Sequence, residues 1–61
     1  MNTVQSMFVL YQATNDVNLG RVLAPDGDMA LDWIARQYGF TDREAMREAG
    51  ILPDLDAYRL N

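Results

Sequence analysis

The sequence contains no cysteine, no histidine and no lysine, and its single serine is Ser6. Each absence removes a chemistry. Without Cys there is no disulfide framework and no thiolate nucleophile, and without Cys or His the common zinc sites cannot be built. The most frequent general base is missing, so nothing stands ready to activate Ser6. Lack of Lys excludes Schiff-base chemistry. Gly20, Gly27, Gly39 and Gly50 stand singly, so there is no glycine-rich phosphate loop. Paired carboxylates could act as acid and base only in a cleft that raises one pKa, and a chain of 61 residues has little room to enclose one. These absences together predict a protein that is not an enzyme and carries no cofactor or metal.

Long apolar runs are also missing. The longest, Met7 to Tyr11, is five residues and cannot span a bilayer. Met1 to Ser6 lacks the basic segment of a secretory leader, so the expected location is the cytoplasm. Positive charge is scarce: five basic residues, all Arg, face nine acidic ones, for a net charge of −4. That balance argues against direct nucleic-acid binding, which needs a basic face, and suits a protein partner that presents a basic surface.

What is present is a moderately apolar chain, 49% hydrophobic, too apolar for a disordered tail. It is read as a single domain over residues 1–61. A domain of this size buries only about 60% of its unfolded-chain surface, and its core rarely supplies more than about 3–5 kcal/mol without help. With no disulfide or zinc to help, a tightly packed monomer or a homodimer is expected.

The pattern predicts the order β-β-α-α-β. Val4 to Ala13 reads as a strand, apolar on both faces at its centre and therefore placed in the middle of the sheet. Thr14-Asn15-Asp16 is a turn. Val17 to Ala24 reads as the second strand, with Val17, Leu19 and Leu23 on one face, Asn18, Gly20, Val22 and Ala24 on the other, and a bulge at Gly20. After the Pro25-Asp26-Gly27 turn, Asp28 is expected to cap a helix from Met29 to Tyr38 whose buried stripe is Ala30, Leu31, Ile34, Ala35 and Tyr38. Gly39 ends it, with Phe40 as the following hydrophobe. Thr41-Asp42-Arg43-Glu44 fits a capping box opening a short helix, roughly Asp42 to Ala49, closed by Gly50. Pro53 blocks continuation, and Leu55 to Leu60 reads as a last strand with Tyr58 and Leu60 on one side. The expected fold is α+β: a small three-stranded antiparallel sheet with two helices on one face.

Three features point to binding. Met29 and Trp33 fall on the outer flank of the first helix, one turn apart, beside Asp32 and Arg36, as interface anchors do; the alternative is that the second helix or the tail folds over Trp33. The carboxylates fall into groups: Asp26, Asp28 and Asp32; Asp42, Glu44 and Glu48; Asp54 and Asp56. The hairpin carries only Asp16 and Arg21, so negative charge concentrates on the helical side, where a row of carboxylates can imitate part of the charge pattern of duplex DNA or simply keep the chain soluble. Asp26, Asp28 and Asp32 around Gly27 share the alternating opening of a Ca²⁺ loop, but the terminal Glu is missing, and a turn with a helix cap is the simpler reading. Arg43 and Arg47, one turn apart, invite comparison with a helix-turn-helix reader, yet Asp42, Glu44 and Glu48 share their helix and offer local pairing.

In the acidic stretch Asp28-Met29-Ala30-Leu31-Asp32-Trp33 and in the segment from Thr41-Asp42-Arg43-Glu44 to Glu48, beside an uncharged hairpin, the chain resembles the small acidic inhibitor proteins that phages and mobile elements encode, anti-CRISPR proteins above all. The resemblance is one of character and rests on no specific motif. It implies a protein-binding inhibitor that blocks a nucleic-acid-binding surface of a host defence complex, such as a CRISPR-Cas effector subunit, including by DNA mimicry. The partner-binding residues expected from the sequence are Asp26, Asp28, Met29, Asp32, Trp33, Asp42, Glu44 and Glu48. The alternatives are a self-associating structural or accessory protein and a helix-turn-helix-like regulator.

Overall fold

The computed structural model describes residues 4–60; the leader reading at Met1–Thr3 lies outside them. Strands β1 (Ser6–Gln12) and β2 (Val17–Ala24), helices α1 (Gly27–Gln37) and α2 (Arg43–Glu48), and strand β3 (Leu55–Arg59) follow in that order. The sheet is antiparallel and ordered β2-β1-β3. The strand with apolar residues on both faces is thus the central one, as its composition requires. Helix α1 packs across all three strands, and α2 packs against α1.

The β1–β2 register shifts between Leu10 and Tyr11: Leu10 pairs with Gly20, but Tyr11 pairs with Asn18. Leu19 is the extra residue of a bulge, and Gly20 takes φ +125°, a conformation that side-chain-bearing residues avoid. The bulge corrects the simple alternation expected for β2. Leu19 packs against the core together with Val22, three residues away, while Leu23 is 58% exposed. A strict period of two cannot place Leu19 and Val22 on one face; one inserted residue does.

The core lies between the sheet and α1. Phe8 and Leu10 from β1, Ala24 from β2, Ala30, Leu31, Ile34 and Ala35 from α1, Met46 from α2 and Leu55 from β3 form one buried cluster. Tyr38, expected in the buried stripe, is instead the helix C-cap and is half exposed. Both helices end in the same way. Gly39 at φ +92° lets Phe40 N–H donate to Ala35 O and Gly39 N–H to Arg36 O; Gly50 at φ +77° lets Ile51 N–H donate to Met46 O and Gly50 N–H to Arg47 O. These paired bonds satisfy carbonyls that the helix itself leaves unbonded.

The helix starts differ from the sequence reading. Asp26, not Asp28, caps α1: it is extended and its Oδ1 accepts from Met29 N–H at 2.9 Å. Asp42, not Thr41, caps α2, its Oδ1 accepting from Ala45 N–H at 2.8 Å. In both, the cap reaches the N–H three residues on. The turn chemistry of Pro25-Asp26-Gly27 and the Thr-x-x-Glu pattern point to other residues for these roles.

The other face of the sheet has no covering layer among the described residues. Pairing sets it out in three rows across the strands: Leu23, Met7 and Leu60; Arg21, Val9 and Tyr58; Asn18, Tyr11 and Asp56. Val9 at the centre is only 3% exposed, shielded by its cross-strand neighbours. Tyr11 and Tyr58 meet edge to face, ring centroids 5.6 Å apart.

Candidate functional site

The acidic residues singled out in the sequence do not all sit free on the surface. Asp26 and Asp42 are held by their caps. Asp32 has a role that sequence reasoning missed: its Oδ1 accepts from Arg43 N–H at 3.0 Å in a half-buried position. One carboxylate from the middle of α1 thereby receives the first backbone donor of α2, which joins the two helices. Asp54 likewise has structural work. Its Oδ2 accepts from Thr14 N–H at 2.9 Å, tying the β1–β2 turn to the segment before β3, and hydrogen bonds from the Thr14 side chain and backbone hold its carboxyl below the ordinary range.

Around the α1–α2 junction these constraints gather charge. Asp28, Asp32, Asp42, Arg43 and Glu44 line one open hollow of about 290 Å³. Arg43 is the only cation of the lining, and its guanidinium donates to Leu55 O at 3.1 Å, which anchors α2 to the start of β3. Asp28 and Asp32 stand one turn apart on α1, about 6 Å along the axis, and Glu44 faces them from α2. Glu44 makes the one ion pair found among the described residues, with Arg47 at 3.6 Å; both side chains are well exposed, so the pair contributes little. Glu48 lies at the far end of α2 and outside the hollow.

No family model, no curated protein and no solved structure matches the chain.

Met29 and Trp33 are 46% and 40% exposed. They lie on the flank of α1 turned away from α2, and at 100° per residue Arg36 falls between them and the Asp28–Asp32 row. Neither α2 nor β3 folds over Trp33 enough to bury it. Of the eight residues expected to bind a partner, the hollow brings together Asp28, Asp32, Asp42 and Glu44. Asp26 stands at the mouth of α1, Met29 and Trp33 on the adjoining outer flank, and Glu48 apart.

The hollow can attract and hold positively charged groups. It has no buried, unpartnered polar side chain, and no set of three or more acidic side chains among the described residues is close enough to hold a metal ion. No helix of the described residues is long and apolar enough to cross a membrane.

Proposed function

We propose that this chain works by binding rather than catalysis: it is a stoichiometric inhibitor that seats its acidic α1–α2 face on a basic, nucleic-acid-binding surface of a partner protein. The resemblance in character to anti-CRISPR proteins makes a CRISPR-Cas effector subunit in the bacterial cytoplasm the partner of choice. The observation that carries the reading is the convergence of Asp28, Asp32, Asp42 and Glu44 on one hollow whose only cation is turned to a backbone carbonyl. Met29 and Trp33, half exposed on the same helix, supply the apolar anchors that charge alone lacks.

Electrostatic complementarity of this kind speeds association and weakens with salt. The test is plaquing of phage on bacteria with active CRISPR systems of different subtypes, with and without the gene. Restored plaquing on one subtype is expected. The double variant Asp28→Lys/Glu44→Lys, which leaves the caps and the Asp32 bridge intact, should lose that protection, whereas Asp16→Lys in the hairpin turn should keep it. No effect on any subtype defeats the inhibitor reading; full protection by the double variant defeats the role of the hollow.

A further inference from the structure

We propose that the uncovered face of the sheet pairs with the same face of a second copy of this chain, about a two-fold axis running close to β1. The argument is independent of the acidic hollow, which lies on the opposite, helical side of the molecule.

The face is apolar along the middle and carries one charge on each flank. Arg21 stands on β2 and Asp56 on β3, on either side of the central Val9 and one row apart. Arg21 has no ion-pair partner among the described residues. Leu23, Tyr58 and Leu60 are 58%, 51% and 45% exposed, a concentration of large apolar side chains that a small soluble domain does not usually leave open.

An isologous pair places each residue against its symmetry partner's position, and the two in-plane axes that keep the strands of both sheets aligned, within roughly 30°, make different contacts. An axis across the strands through Val9 would set Arg21 against Arg21 and Leu60 against Asp56. An axis along β1 swaps left for right and keeps the rows. Leu23 of each copy then meets Leu60 of the other, and Met7, half-buried on β1, meets Met7. Arg21 lies over Tyr58 of the other copy, as a guanidinium over an aromatic face, with that copy's Asp56 two residues along the strand, about 7 Å away and within reach of the long arginine side chain. Only this axis makes the face complementary to itself.

The size of the face sets the affinity. The molecule measures 36 × 24 × 13 Å, one sheet layer and one helix layer thick. A specific interface takes about 800 Å² from each partner, and three strands spaced about 4.8 Å apart offer less than that. The dimer is accordingly a weak one, with dissociation in the micromolar range.

The experiment is sedimentation velocity on the whole chain from about 10 to 500 μM, with far-UV circular dichroism to confirm folding. Wild type is expected to shift from monomer to dimer across the range. Leu23→Asp, at an exposed position, should stay monomeric and folded. Arg21→Asp and Asp56→Arg should each be monomeric alone, because each homodimer would bring like charges together. An equimolar mixture of the two variants should dimerise. One copy then carries a carboxylate on both flanks and the other a guanidinium on both, so each flank again meets its opposite. A wild type that stays monomeric at 500 μM overturns the proposal, as does a dimer that survives Leu23→Asp. A dimer abolished by Leu23→Asp but not rescued in the mixture overturns the axis.

Discussion

Met46 decides whether the acidic hollow exists. Helix α2 has six residues, too few to be helical in water on its own account, and Met46 is the only residue it buries. Its side chain, 1% exposed, holds the helix to the core, helped by the Asp32 bond to Arg43 N–H and the Arg43 bond to Leu55 O. Truncating a buried Met to Ala costs about 2–5 kcal/mol. A domain of this length has about 3–9 kcal/mol in all, so Met46→Ala should remove around half of the stability or more. Urea unfolding followed by circular dichroism gives the global loss, and native-state hydrogen exchange tells where it acts. The amides of Ala45, Ala49, Gly50 and Ile51, all bonded within α2 or its closing turn, should lose protection first. Met29→Ala, at a half-exposed site on α1, should change stability by no more than about 0.5 kcal/mol. A Met46→Ala loss below about 1 kcal/mol, with α2 amides as protected as before, would refute the view that one side chain anchors the helix.

The caps and the hairpin turn give two further outcomes. Asp26→Ala and Asp42→Ala should each cost about 1 kcal/mol in urea unfolding, while Thr41→Ala should be neutral within about 0.5 kcal/mol; equal effects at Thr41 and Asp42 would restore the capping-box reading. Because the carboxyl of Asp54 is held below its usual range in the folded chain, its contribution is present above the unfolded carboxylate pKa of about 3.9 and is lost as pH falls through the lower folded value. Asp54→Asn should therefore flatten the acid limb of a stability–pH profile and leave the neutral limb parallel to wild type.

The elements and their order are legible in the sequence because each carries its own local signal: an apolar centre for β1, a 3.6-residue stripe for α1, glycine before a hydrophobe at each helix end. The errors fall where two local signals compete. At Pro25-Asp26-Gly27 a turn signal masks a cap, and at Thr41-Asp42 a motif outweighs the neighbouring aspartate that bonds at the right spacing. Nor can sequence alone phase a strand across a bulge, which is why alternation puts Leu19 and Leu23 on one face and the fold puts them on opposite ones. Leu52, at φ +47° and packed against the core, shows no mark of that conformation in the sequence. The acidic grouping is readable, but the work of Asp32 and Asp54 is not, since each bonds a backbone donor far along the chain. The uncovered sheet face is hinted at only by Tyr58 and Leu60; seeing it needs the strand order.

The place of β1 between β2 and β3 has a consequence in time. Its pairing with β2 is available as soon as the hairpin is made, but Gln12 finds Leu55 on β3 only after another 43 residues have been joined. Closing a loop of that length costs more entropy than closing the hairpin, so one edge of the most apolar strand is the last part of the sheet to be covered as the chain folds. Until then Phe8, Val9 and Leu10 have a free row of backbone donors and acceptors that any extended neighbour could occupy. How well this protein is produced in a cell will depend on that wait, a property of the order of its strands and not of the energy of the finished fold.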